Sequence, residues 1–313
     1  MQVLPNTTQK FAPIAPRAEG QLRVGQLNAY NLFDTKDDPK AQEPVSERVA
    51  YKNHVTKLAT AIRDALGGPD IITMQEVENL KVLQDLVKHP VIKALGYTPL
   101  IREGTDPRGI DNAILYRNEA VDLVQVMQVD PLRMNEKDRG TKLFTRPPLV
   151  AQFAIRGREQ ARQGVKSLWV IGNHFTSKLG QEDAARKRAE QASVVAHFAQ
   201  GLQVIDKRSG VIVAGDLNME RSEPEFAPLR QTKRGAALVD VTSQIPSEKR
   251  FSWRDGRKHV QLDQMLVSAN LAKRVETVQI PHVSTRTLKA LHPDPVRAEG
   301  FSDHDPIVTT FEF

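Results

Sequence analysis

The sequence predicts an α/β protein in which two packed β-sheets form one domain with helices outside them. Three observations carry this. Apolar runs of strand length recur from Leu22 to Phe313, segments with apolar residues at helical spacing lie between them, and no change of composition marks a domain boundary. With 313 residues the chain can bury a large core without a metal or disulfide staple.

Residues 1–20 carry three prolines, many polar residues and no periodicity, and are expected to form a mobile arm ahead of a domain over 21–313. The first strand is LRVGQLN, 22–28. The segment after Ser46 places Tyr51, Val55, Leu58, Ala59, Ile62, Ala65 and Leu66 at helical spacing. Ser46 is its expected cap and Gly67-Gly68-Pro69 its stop. A buried strand follows over 70–76, then a helix marked by Leu80, Leu83, Leu86 and Val87 that ends near Pro90. Further strands are expected over 111–117, 121–129, 148–155, 167–174, 211–218, 262–268, 274–280 and 306–313. Ala185, Ala189, Ala192, Val195, Ala196 and Ala199 mark a helix over 182–200. The segments 130–147, 156–166, 219–237 and 281–305 read as loops.

Composition narrows the chemistry. Cysteine is absent, which excludes a disulfide framework, a thiolate zinc site, an iron–sulfur cluster and a cysteine nucleophile. No run approaches the ~18 apolar residues of a membrane-spanning helix. There is no G-x-S-x-G and no phosphate-cradling G-x-x-x-x-G-K-[ST] loop. Lys and Arg number 44 against 38 Asp and Glu, a net charge of +6 with a pI near 9.4, which leans toward a polyanionic partner such as nucleic acid. A monomer is expected. The sequence leaves the compartment open. No apolar signal core precedes the arm, so the chain as given does not read as a secretory precursor; it reads equally as an exported (periplasmic or extracellular) protein trimmed of its signal, and export is slightly favoured.

The informative pattern lies where apolar runs end. Strand 22–28 ends in Asn28, 70–76 in Glu76, 167–174 in Asn173-His174 and 211–218 in Asp216 and Asn218, while Asp303-His304 stands just before the last strand. A carboxylate at the end of an apolar strand is costly unless it is paired, hydrogen-bonded or bound to a metal. Several of them converging on one rim point to a common site. Oxygen donors and imidazole favour a hard divalent ion, Mg²⁺ or Mn²⁺, over zinc. Acids, amides and histidines with no covalent nucleophile point to metal-assisted attack of water on a phosphate.

QLNAYNL, IITMQEVEN, GIDNAILYR, VIGNHFTSK, VIVAGDLN, LDQMLVS and FSDHDPI, in this order, resemble the motif series of the endonuclease/exonuclease/phosphatase superfamily. The resemblance spans Leu22 to Phe313 and implies a four-layer α/β/β/α sandwich, two central mixed β-sheets flanked by helices. Within the superfamily, QEVEN, HFTSK and TRPPLVAQF resemble the branch of bacterial extracellular nucleases. The implied activity is divalent-metal-dependent hydrolysis of nucleic-acid phosphodiesters, DNA first and RNA as the further candidate. Superfamily members also act on inositol phosphates and sphingomyelin, so a small-molecule or lipid phosphoesterase is the alternative.

The resemblance implies a role for each matching residue. Glu76 would be the principal ligand of Mg²⁺ or Mn²⁺, with Asn28 and Asp303 beside it. Asp216 resembles the residue that positions or deprotonates the attacking water, and Asn218 the one that hydrogen-bonds the phosphate. His304 would contact the scissile phosphate, with Asp263 as the acid that holds it and stabilises its charge. His174 resembles the second family histidine; that Asp111 orients it is a geometric guess outside the resemblance, and Ile110-Asp111-Asn112 also reads as a plain strand start. Arg146 and Lys178 are candidates for phosphate contact, each equally readable as a solvated basic residue. Asp305 reads as a turn or cap acid, and Trp169 as core. Trp253 either packs or stacks on a base. His54, His89, His197, His259, His282 and His292 are expected on the surface or in loops.

Overall fold

The computed structural model describes residues 14–39, 41–133, 138–157, 164–178, 181–230, 238–255, 258–284 and 300–313. Its strands are β1 (Gln21–Leu32), β2 (Ile71–Val77), β3 (Tyr97–Ile101), β4 (Asp111–Arg117), β5 (Val121–Gln128), β6 (Leu149–Ile155) and β7 (Ser167–His174). They continue with β8 (Ser209–Asp216), β9 (Val239–Asp240), β10 (Trp253–Asp255), β11 (Lys258–Val260), β12 (Asp263–Val267), β13 (Val275–Gln279) and β14 (Ile307–Glu312). The helices are α1 (Arg48–Thr60), α2 (Leu80–Val87), α3 (Gln181–Ile205), α4 (Ala227–Arg230) and α5 (Ala269–Ala272). One mixed six-stranded sheet has the order β13-β14-β1-β2-β4-β3, the other β5-β6-β7-β8-β12-β9, and β10-β11 form a separate hairpin.

Side chains alternate across each strand, and the alternation sorts the apolar residues into three layers. Val24, Ile71 and Ile114 of the first sheet meet Phe153, Val170, Ile212 and Met265 of the second between the sheets. Leu27, Ile72, Met74 and Leu115 face outward and pack on Val55, Leu58 and Ile62 of the first helical segment and on Leu83 and Leu86 of α2. Trp169, Ile171, Val211 and Val213 face the other way and pack on Ala192, Val195, Ala199 and Leu202 of α3. The layers therefore run α/β/β/α, as the sequence predicts.

The departures from the sequence reading are local. Helix α1 begins at Arg48 with Glu47 in the cap position, and Ser46 does not cap it; the Ser46 amide bonds Asp34 O instead. The helix then passes into a π-helical turn over Ala61–Ala65 before the glycine stop. Helix α2 has a cap the sequence reading does not name, Asn79, whose Oδ1 accepts from Lys81 N at 2.8 Å and Val82 N at 3.1 Å. Strand β3 is not named in the sequence reading, and it contains Pro99. It lies at the sheet edge, where the missing N–H costs nothing. Of the arm expected over 1–20, residues 1–13 lie outside the described residues. Over 14–20, Ile14 packs against the outer face of the first sheet, and Arg17 Nη1 lies 2.9 Å from the buried Asp70. Among the described residues no helix is long and apolar enough to cross a membrane.

Register positions the polar strand ends. Parallel pairing of β7 with β8 sets His174 opposite Asp216, and antiparallel pairing of β8 with β12 sets Asp263 opposite Asp216 on the other side. Gly215 permits this approach: it has φ +138°, and a Cβ there would lie 2.0 Å from Asn173 O. In the first sheet, Asn28 stands opposite Gln75, one residue before Glu76.

Candidate active site

The two sheets bring their polar ends together in one cleft. Asn28 Nδ2 lies 3.3 Å from Glu76 Oε1 and 3.4 Å from Asp216 Oδ2, spanning the sheets. His174 Nε2 lies 3.6 Å from Asp216 Oδ2 and 3.9 Å from Glu76 Oε1. His304 Nε2 lies 3.9 Å from Asp216 Oδ2, while its Nδ1 is 2.6 Å from Asp263 Oδ2. Among the described residues, the non-glycine residues with positive φ are Tyr30, Asn31, Glu76 and Asn218. All four belong to this cleft or the turn beneath it. Such backbone costs on the order of 1–3 kcal/mol per residue and persists where the surroundings over-determine it, commonly at functional sites. Here the turn at Tyr30-Asn31 aims Asn31 N at Glu76 Oε2, 2.9 Å away, and Tyr30 N at Asn28 Oδ1, 2.8 Å away.

The two histidines hold opposite charge states. Burial lowers His174 well below its ordinary value, and Arg146, His304 and Arg108 push the same way, so it is neutral. Burial also works against a charge on His304. The carboxylates of Asp263 and Asp216, with the hydrogen bond to Asp263, outweigh it and hold His304 well above its ordinary value. Burial raises Asp216 to about 7; His304 opposes the shift, and Asp263 and Glu76 add to it. Asp263 is itself fixed from the opposite sheet, where Gln26 Nε2 donates to Asp263 Oδ1 at 2.7 Å and to Gln75 Oε1 at 2.8 Å.

The donor set fits a hard divalent cation. Among the described residues neither Glu76 nor Asp216 pairs with a lysine or arginine, and their oxygens converge on the single amide of Asn28. Two facing carboxylates repel; the charged His304, 3.9 Å from Asp216, offsets part of this, and a cation would relieve the rest. Ligating atoms of Asp216, Asp263 and His304 also lie within 4.8 Å of one another. A protonated imidazole has no lone pair for a metal, however, and His304 spends its Nδ1–H on Asp263. The residues that could hold a cation are therefore those on the Glu76 and Asn28 side of the cleft. Asp303 sits at the rim, its side chain 47% exposed and its Oδ1 4.0 Å from His304 Nε2.

The remaining expected residues fall as follows. Asn218 donates from Nδ2 to Phe175 O at 3.2 Å and from its backbone N to Asp216 Oδ1 at 2.9 Å. Arg146 is buried beside His174, with Nη2 donating to Phe175 O at 3.0 Å. Lys178 pairs with Glu223. Asp111 does not orient His174. Its Oδ1 accepts from Gly104 N at 2.8 Å, and the buried His174 Nδ1 has no hydrogen-bond partner. The reason is strand parity: Asp111 shares the outward face of β4 with Ala113 and Leu115, whereas His174 shares the inward face of β7 with Leu168 and Val170. Burial pushes Asp111 up to about 7 on that outer side. Asp305 is a structural acid, accepting from Val283 N, Ser284 N and the His282 ring. His54 is not a surface residue: it is buried in α1, and burial lowers it to about 4. His292 lies outside the described residues.

Sequence reading missed Gln26, Ser252, Asp106 and Arg108. Gln26 carried a usable signal, being an amide two residues before Asn28 and hence on the same strand face. Ser252 carried none. Its Oγ accepts from Asp263 N at 3.0 Å and its carbonyl from Asp305 N at 2.7 Å, tying β12 to the loop that bears His304.

Residues 23–289 match the family described as the Endonuclease/Exonuclease/phosphatase family. Among solved structures, a humanized D. rerio TDP2 superposes with a TM-score of 0.63 at 18% identity, covering 94% of this chain and 100% of that one. An endonuclease/exonuclease/phosphatase family protein from Bacteroides thetaiotaomicron gives 0.61 at 16% identity, covering 97% and 96%. The catalytic domain of human Nocturnin with bound sulfate gives 0.59 at 19% identity, covering 97% of each. No curated protein matches the chain.

Proposed function

The chain belongs to the endonuclease/exonuclease/phosphatase family, and from that premise we propose that it is a divalent-metal-dependent phosphodiesterase that hydrolyses nucleic acid. The observation that carries the reading is the cleft itself: Glu76 and Asn28 from one sheet face Asp216, His174 and Asp263 from the other, and His304 reaches Asp263 from the loop before β14. D. rerio TDP2 has been seen complexed with a single-strand DNA product on the same fold. The net charge of +6 suits a polyanion. Placement with bacterial extracellular nucleases, and export with it, rests on the QEVEN, HFTSK and TRPPLVAQF segments.

Glu76 and Asn28, with Asp303 at the rim, would hold Mg²⁺ or Mn²⁺. When bound, the ion supplies Lewis-acid stabilisation of charge on the phosphate and leaving oxygens. Every other contribution comes from side chains. Asp216 is pinned at Oδ1 by Asn218 N, which leaves Oδ2 to take a proton from the attacking water. A carboxylate raised to about 7 is a competent base near neutrality. His304, charged by Asp263, presents Nε2–H to a nonbridging oxygen, where a fixed donor opposes the charge that develops. Asn218 has a second N–H for the phosphate and adds no charge.

The test is degradation of plasmid and oligonucleotide with Mg²⁺ or Mn²⁺ and with EDTA, beside inositol phosphate and sphingomyelin assays. EDTA-sensitive cleavage of nucleic acid is expected, with His304→Ala slower by roughly 10²–10⁴-fold. Turnover confined to the small or lipid substrates, or full activity in His304→Ala, overturns the reading.

A further inference from the structure

Beside His174 two arginines share one carboxylate. Asp106 Oδ1 accepts from Arg108 N at 3.0 Å and lies 3.5 Å from Arg108 Nε, while its Oδ2 lies 3.4 Å from Arg146 Nη1. One carboxylate thus stands between two guanidinium groups beside the cleft, and Glu76 and Asp216 also bear on Arg146. The two arginines sit at different depths. Arg146 is 7% exposed, and its buried Nε–H has no partner. A buried charged donor left unpaired is costly unless a ligand oxygen takes it. Arg108 has a side chain 45% exposed, at the mouth. Its Nη1 donates to Asn31 Oδ1 at 3.2 Å, and Asn31 N holds Glu76 Oε2. Both guanidiniums bear on His174 electrostatically, which places both within reach of the site's field.

We infer that Asp106 sets Arg146 and Arg108 as a two-depth cradle for successive phosphates of one substrate, Arg146 beside the phosphate to be cleaved and Arg108 at the mouth for its neighbour. The inference deepens the phosphodiesterase reading and rests on it. It names the substrate class as a diester with a second phosphate one sugar away, a nucleic-acid strand or a 5′-phosphorylated dinucleotide, in preference to an isolated diester. A surface arginine usually loses side-chain freedom when it binds. Asp106 and Asn31 already restrain Arg108, so less is lost on contact. The planar fork then meets phosphate oxygens with two parallel hydrogen bonds.

The experiment compares a 5′-phosphorylated dinucleotide with bis(p-nitrophenyl) phosphate, which has no neighbouring phosphate, in the full chain and in Arg108→Ala. The ratio of kcat/KM for the dinucleotide over the isolated diester is expected to fall about tenfold, mainly through KM. Arg108→Lys, which keeps the charge and loses the fork, should recover part of it. A variant that lowers both substrates equally, or neither, overturns the cradle. A second measurement needs no turnover: anisotropy of a labelled single-stranded oligonucleotide, titrated with salt in EDTA. Loss of one phosphate contact lowers the slope of log K against log salt by about 0.7. If the full chain cleaves neither substrate, the hydrolase reading falls, and the salt slope still decides the cradle. A slope unaltered by Arg108→Ala overturns it.

Discussion

Replacing Asp263 by Asn isolates what charges His304. The pair is 2.6 Å apart, with side chains 0% and 8% exposed, so water and salt hardly screen it. Asparagine keeps the shape and can still accept from Gln26 through Oδ1. Its amide nitrogen then faces His304 Nδ1 as a donor, and the imidazole must give up its Nδ1 proton. The variant therefore removes the positive charge while leaving an Nε2–H toward the phosphate. Breaking a buried pair by removing one charge costs about 3–5 kcal/mol. Because His304 can shed its proton, the lower end, ~3 kcal/mol, is expected here. The sign follows from the raised folded pKa of His304. The pair's stabilisation is fully present below the unfolded histidine value of about 6.5 and is lost as pH rises through the raised folded value. Urea unfolding in EDTA should show the variant less stable by ~3 kcal/mol near pH 6, with the deficit shrinking in alkaline buffer. Turnover should fall by about 10²–10³-fold, the cost of one lost electrostatic donor. A deficit equal at both pH values, or turnover within twofold of the parent, would refute the claim that Asp263 sets the charge on His304.

Three further outcomes are expected. Asp216 holds its proton in the folded chain up to about 7, so ionising it lowers stability as pH rises from about 4 to about 7. Asp216→Asn should therefore stabilise the metal-free protein above neutrality by roughly 1–4 kcal/mol in urea unfolding while abolishing most activity. Glu76→Gln should raise the half-saturating Mn²⁺ about tenfold or more and shrink the metal-induced rise in Tm, read by differential scanning calorimetry. Lys178→Ala should change KM less than about threefold and stability by under ~1 kcal/mol, because Lys178 is half-exposed and already paired with Glu223. A large rise in KM would mean that substrate draws it from that pair.

Much of this was legible in the sequence. The apolar runs locate most of the strands, and the polar residues that end them are the residues that meet in the cleft. The helix over 182–200 appears as Gln181–Ile205, and Trp169 lies in the outer core as its apolar neighbours imply. The edge strand β3, which carries a proline, went unnamed, and the π-turn after α1 left no mark on the spacing.

Period-two alternation says which residues of one strand share a face. It does not say which strand lies alongside or at what register. The chain alone thus determined the set of acids, amides and histidines available for phosphoester chemistry. The tertiary structure decided their states: His304 is charged by an acid 41 residues away, whereas His174, without such a partner, is neutral. Asp111, guessed to orient His174, lies on the opposite strand face. A pKa is set by through-space neighbours and by exclusion of water. Asn28 meets Asp216 across 188 positions of sequence, and only the packing of one sheet on the other brings them together.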